Sequence, residues 1–180
     1  QLDEKGRIPV NQDHQTIVPH IYAIGDVIAG PMLAHKASEE AINLVERLSG
    51  RKVWANPNII PEVIYTHPEV ASVGQKEQRL KAQNINYKIG KFSLKANSRA
   101  KTYQEAEGFV KILTDAQTDR ILGASIVAAQ ASTMIGEIAI AMEMGASAED
   151  IARTCHAHPT FNEAIKEAAW AAFDKPLHSL

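Results

Sequence analysis

From residue 62 to residue 128 the strong apolar runs have the period of strands, and from 132 to 173 they have the period of helices. Residues 62–66 and 70–73 are short β-type runs. Residues 87–94 alternate through Tyr87, Ile89, Lys91 and Ser93 as a half-buried strand does. Residues 109–113 and 121–128 are rich in β-branched side chains, and the polar segment 114–120 between them suits a hairpin turn. A polar helix around 75–82 is the one interruption. The stretches 132–144, 147–152 and 160–173 then read as helices. Strands gathered first and helices afterwards, without regular alternation, predict an α+β domain built on an antiparallel sheet.

The preceding residues are organised differently. Residues 1–30 are punctuated by Gly and Pro, and within them 20–24 (HIYAI) predicts a short buried strand that stops at Gly25-Asp26. A helix is predicted over 32–48, where Leu33, Ala37, Ala41, Leu44, Val45 and Leu48 recur at spacings of three and four. Pro31 stands before it and Gly50 after it, the expected asymmetry. Residues 51–61, with Pro57 and Pro61, read as a connection. The chain therefore divides into a strand–helix piece (1–52), a linker (53–60) and an α+β domain (61–180).

Composition removes several classes of function. A net charge of −2 gives no electrostatic reason to expect nucleic acid or an anionic membrane as partner. The richest apolar stretch, 135–144, is far too short for a membrane span and is broken by Glu137 and Glu143. A single cysteine, Cys155, excludes an internal disulfide and a multi-thiolate metal site, and a reducing compartment fits. No G-x-G-x-x-G phosphate-binding turn occurs. Residues 1–10 carry no signal-peptide pattern. Because the chain opens on Gln1 rather than Met, it reads as a piece of a longer protein, with room for a targeting segment upstream.

Two segments carry chemistry. In the first, TIVPHIYAIGD (16–26), a strand is expected to bring Asp26 to its C-terminal edge, where α/β folds place ligands and where a carboxylate can accept hydrogen bonds from hydroxyl groups. The helix start just beyond would aim free N–H groups and a positive dipole end at the same region. The plainer alternative is a strand–turn–helix whose Asp only caps the turn. In the second, CHAHPTFNEA (155–164), Pro159 suits the first helical position, with His158 just outside the helix and Glu163 about a turn inside. A carboxylate on one imidazole nitrogen fixes the tautomer and leaves the other nitrogen as an acceptor, which is what a general base for a thiol needs. Here the plainer alternative is a surface His and an unrelated Glu. His156 and Cys155 are read as structural. No metal site is expected, since His156 and His158 have no third ligand at suitable spacing.

The first segment resembles the second FAD-binding motif of the flavoprotein disulfide reductases. GPMLAHKA (30–37) and RTCHAHPTFNEA (153–164) narrow the likeness to the dihydrolipoamide dehydrogenase family rather than the glutathione or mercuric reductases. VIYTHPEVA (63–71), FSLKANSRAK (92–101) and DRILGASIV (119–127) extend it over almost the whole chain. The resemblance departs at 131–133 and in the tail 173–180.

The likeness implies a C-terminal part of such an enzyme: the end of an FAD domain followed by the dimerisation domain. It implies that Asp26 binds the FAD ribityl chain, that the backbone at Leu33 and Ala34 lies against the flavin, and that His158 is the acid–base residue oriented by Glu163. His35 is read as a packing residue near the flavin. FAD and NAD would serve the full-length enzyme, with neither retained by this piece. The substrate would be dihydrolipoamide on the acyltransferase component of a 2-oxoacid dehydrogenase complex. The enzyme would be a homodimer, cytoplasmic or, in a eukaryote, in the mitochondrial matrix. The competing readings are another flavoprotein disulfide reductase, and a module that only dimerises or docks.

Overall fold

The computed structural model describes residues 2–53, 56, 59–173 and 175–178. Half of the expected linker (54, 55, 57 and 58) and tail positions 174, 179 and 180 lie outside the described residues. The chain separates into two units, Gln1–Asn56 and Pro57–Leu180.

The first unit contains a 3-10 turn, Gly25–Val27, and helix α1, Ala34–Leu48. The strand expected at 20–24 does not form. Tyr22 makes one isolated antiparallel bridge with Gln15, and Ile21 is exposed. An apolar run becomes an interior strand only where neighbours claim both rows of its backbone groups. Among the described residues of this unit only the segment around Gln15 meets it. Helix α1 starts two residues later than the sequence predicts, and its apolar stripe is only partly covered: Ile42, Val45 and Leu48 are exposed.

The second unit is the predicted α+β domain. Strands β1 (Glu62–Ile64), β2 (Glu69–Gly74), β3 (Tyr87–Ser93), β4 (Phe109–Asp115) and β5 (Ile121–Ala128) form one sheet in the order β1-β2-β5-β4-β3. Every pairing is antiparallel. Register explains which pleat is buried. Ala71, Ile126, Val110 and Phe92 lie in one cross-strand row, and Val73, Ala124, Ile112 and Gly90 in the next. All eight are buried. The opposite pleat carries the row Ser72, Ser125, Lys111 and Lys91. An antiparallel sheet with one apolar face needs one cover.

Among the described residues α2 (Glu77–Ala82) lies between β2 and β3 and α3 (Ser98–Thr102) between β3 and β4, while α4 (Ala131–Glu143), α5 (Ala148–Arg153) and α6 (Glu163–Phe173) follow the last strand. Helix α4 packs on β2 and β5, and α6 on β3 and β4. The apolar face of α6 is mostly small (Ala164, Ala168, Ala169 and Ala172, with Ile165), so it can sit close to the sheet. Gly90 is where it touches: a Cβ there would overlap the Ala168 carbonyl and lie 2.6 Å from the Ala172 nitrogen. Inserting even a methyl into a packed contact of this kind costs about 1–3 kcal/mol.

Two polar groups bridge separate elements. Glu69 of β2 accepts the Ser132 N–H at 2.8 Å, capping the start of α4 from outside the helix. Buried Asn97 accepts the Ala100 N–H at 2.8 Å to cap α3, while its amide donates to the Thr160 carbonyl at 3.0 Å. That second bond anchors the loop that carries the candidate site.

Candidate functional site

The loop between α5 and α6 holds two histidine–carboxylate pairs. The helix expected from Pro159 starts instead at Glu163, so Glu163 is its first residue rather than a turn inside. Residues 159–162 form a turn with its own hydrogen bonds: the Thr160 hydroxyl donates to the Ala157 carbonyl at 2.8 Å, and the Ala164 and Ile165 N–H groups donate to Phe161 and Asn162. A proline opening a helix would have required Thr160 and Phe161 to continue it. Here they are used to turn the chain, and Phe161 is buried in the core cluster.

This turn brings His158 and Glu163 together. His158 Nδ1 lies 2.8 Å from Glu163 Oε1, and Glu163 Oε2 accepts the Thr160 N–H at 2.7 Å. Both carboxylate oxygens are therefore committed, one to the ring and one to the backbone beside it. A carboxylate has no hydrogen to give, so Nδ1 is the donor and Nε2 of the neutral ring is left as acceptor. The His158 side chain is 68% exposed and Glu163 26%, so Nε2 faces outward from a carboxylate that is partly sheltered.

His156 stands two residues earlier and is half-buried, its side chain 8% exposed. Its Nε2 lies 2.8 Å from Glu137 Oε1 and its Nδ1 3.0 Å from the Thr154 carbonyl. The other Glu137 oxygen accepts from the Asn162 amide at 2.6 Å. The Glu137 hydrogen bond raises the His156 pKa above the ordinary imidazole value, against burial and the nearby Lys166 ammonium, which lower it. These residues border a cleft of about 500 Å³ that Ile140, Ile151 and exposed Cys155 also line. The sequence reading of His156 as structural did not name its partner. The signal was present: Glu137 interrupts the most apolar helix of the chain, and a carboxylate in such a place needs a cation or donors.

In the first unit Asp26 is exposed on the 3-10 turn. Gly25 before it takes φ +73°, a left-handed conformation open to glycine. Its N–H donates to Glu40 Oε2 of α1 at 2.8 Å, while Glu40 Oε1 lies 2.7 Å from buried Lys36 Nζ and 3.6 Å from His14. Burial alone would raise the Glu40 pKa; the bonds from Lys36 and Gly25 outweigh it and hold the carboxyl below its ordinary range. This clasp, which the sequence did not announce, fixes the Asp26 turn against α1. Leu33 is the residue preceding α1, extended at φ −134° and ψ 131°, and no side chain caps the helix start; Ala34 is its first, exposed residue. His35 is exposed on the same turn.

Residues 60–169 match the family model of the pyridine nucleotide-disulphide oxidoreductase dimerisation domain, and residues 1–41 match that of the pyridine nucleotide-disulphide oxidoreductases. The chain belongs to this family. It is 58% identical over 179 residues to the mitochondrial dihydrolipoyl dehydrogenases of Mus musculus and Homo sapiens, covering 99% of this chain and 35% of each relative. The corresponding Caenorhabditis elegans protein is 58% identical over 172 residues. The chain thus spans about a third of the length of these relatives. Among solved structures, LpdA of Mycobacterium tuberculosis superposes with a TM-score of 0.88 at 28% identity, over 94% of this chain and 37% of LpdA. The HOCl-induced flavoprotein disulfide reductase RclA of Escherichia coli shares the fold, with a TM-score of 0.83 at 22% identity over 92% of this chain and 38% of RclA.

Proposed function

We propose that this chain is the C-terminal part of a dihydrolipoyl dehydrogenase and supplies its acid–base residue, His158. The observation that carries the reading is the 2.8 Å contact of His158 Nδ1 with Glu163 while Nε2 stays open. His158 Nε2 takes the proton of a dihydrolipoamide thiol, and the resulting thiolate attacks a disulfide carried elsewhere in the full-length protein, since this chain has one cysteine. The attacked disulfide releases one sulfur as thiolate, and the proton stays on the imidazole, whose charge Glu163 offsets. FAD, when bound, supplies the two-electron step that passes a hydride to NAD.

The first unit supports the flavin assignment. Asp26 can accept from ribityl hydroxyls, and the start of α1 at Leu33 and Ala34 offers the positive end of a helix dipole, which suits the electron-rich edge of a flavin. Asp26, Leu33 and Ala34 would hold the cofactor in the complete enzyme; the isolated chain, with no Gly-rich phosphate turn, retains neither FAD nor NAD and is inactive. The dimer is a homodimer, and exposed Ile140 and Met144 on and after α4 favour that helix as part of its interface. Helix α6, by contrast, has its apolar face buried within the domain. Dihydrolipoamide would arrive on the acyltransferase component of a 2-oxoacid dehydrogenase complex, in the mitochondrial matrix of a eukaryote or the cytoplasm of a prokaryote.

The test is rapid reduction of the flavin by dihydrolipoamide in the full-length enzyme carrying His158→Gln. The reduction rate should fall by about 10²–10⁴-fold, the range for loss of a positioned general base. An unchanged rate would remove His158 from the chemistry.

A further inference from the structure

The mechanism leaves one charged cluster unused. His156 has both ring nitrogens at hydrogen-bond distance from oxygens, the Thr154 carbonyl at 3.0 Å and Glu137 Oε1 at 2.8 Å. A carbonyl oxygen has no hydrogen, and an ionised carboxylate has none either. A neutral imidazole carries one N–H and can satisfy only one of them. With Glu137 ionised, both contacts are made together only when both nitrogens bear hydrogen, which is the imidazolium form.

We propose that His156, held as an imidazolium against Glu137, is a positioning residue that fixes the loop carrying His158 and the start of the helix carrying Glu163. The Glu137 carboxylate reaches both sides of the acid–base pair. One oxygen holds His156, two residues before His158, and the other holds the Asn162 amide at 2.6 Å, one residue before Glu163. Helix α4 is the fixed support: Met134, Ile135 and Ile138 around Glu137 are buried in the core. Lys166 of α6 closes the strap from the far side, donating to the same Thr154 carbonyl at 2.9 Å. The loop is thereby tied to α4 and α6 at Thr154, His156 and Asn162, and to Asn97 at the Thr160 carbonyl.

The charges facing the ring come from three elements. Glu137 of α4 favours the proton, Lys166 of α6 opposes it, and Asp150 of α5 lines the same cleft. A cation with both N–H groups engaged this way exchanges its proton poorly with a substrate, which separates its role from that of His158. The role rests on the reading of His158 as the acid–base residue, but the protonation state of His156 does not.

The experiment is ring-nitrogen NMR of the histidine-labelled 180-residue chain, native and Glu137→Gln, followed through a pH titration, together with turnover of the full-length flavoenzyme bearing the same change. Both His156 nitrogens should be protonated at pH 7 in the native chain. In Glu137→Gln the His156 midpoint should move down, the His158 Nδ1–H signal should broaden, and kcat should fall by about tenfold, the equivalent of one lost charge-assisted bond, with KM little changed. Should Glu137→Gln fail to fold, Asn162→Ala removes one arm of the strap and must broaden the same His158 signal. A singly protonated His156 at pH 7, or a variant that leaves both the His158 signal and kcat unchanged, would overturn the strap. Turnover indifferent to His158→Gln would instead overturn the acid–base reading, whatever His156 does.

Discussion

His156 and His158 stand two residues apart, each with a carboxylate at 2.8 Å, and differ in everything else that decides what a histidine can do. The His156 side chain is 8% exposed and both of its nitrogens are occupied. His158 is exposed, one nitrogen is fixed and the other is open. The same pair of functional groups therefore gives a structural cation in one case and a proton-exchanging base in the other. Sequence spacing alone cannot separate them; the number of committed ring nitrogens can.

The sharpest way to break the comparison is to exchange the fates of the two rings. In the full-length enzyme His158→Gln should lower turnover by about 10²–10⁴-fold, whereas His156→Gln should cost far less in turnover and more in stability. Equal losses in turnover would mean that the two histidines do not divide the work as their burial implies. Next in size is Glu163→Gln, which keeps the shape but removes the charge that orients His158. Loss of one charge-assisted bond, about 1.5–3 kcal/mol, corresponds to a fall in kcat/KM of roughly 10–100-fold; a steady-state assay resolves that easily.

The third prediction concerns stability. His156 has a raised pKa in the folded chain, so its pairing with Glu137 contributes fully below the unfolded imidazole value, about 6.5, and is lost as pH rises through the folded value. Urea unfolding of the native chain and Glu137→Gln should differ by about 1.5–3 kcal/mol in mildly acidic buffer and converge in alkaline buffer. A gap that widens with pH would contradict the imidazolium. The smallest effect belongs to a half-buried carboxylate at the surface of the sheet domain. Glu77 is held by Lys81, then by Lys111 and Tyr87, at a pKa of about 2. Its contribution is present above the ordinary carboxylate value and fades as pH falls toward 2. Glu77→Gln should therefore change acid unfolding slightly and leave the neutral-pH midpoint nearly unmoved, as surface ion pairs do.

How far the sequence was legible follows the same division. The antiparallel sheet was readable because each strand is a local alternating or β-branched run, and its partners lie within the chain. The strand at 20–24 failed for the converse reason: the run is apolar, but what would pair with its backbone is not supplied by the described residues around it. The His–Glu pair was readable because five residues separate its members. The helix boundary was not, because Thr160 and Phe161 are recruited into a turn by Ala157, Asn97 and the core, all of them non-local. Glu137 lies 19 residues from His156, and nothing in the local pattern joins them. The segment FSLKANSRAK, noted for its likeness to the family, gains a physical reason here: its Asn97 holds the loop at Thr160.

The most direct test of the account is the tautomer of neutral His158, read from its ring-nitrogen shifts at a pH where the ring has lost its second proton. The expected result is hydrogen on Nδ1, donated to Glu163, and a bare Nε2 ready to take a thiol proton. Hydrogen on Nε2, or an even mixture of the two forms, would mean that Glu163 does not orient the ring and that the pair is not an acid–base device.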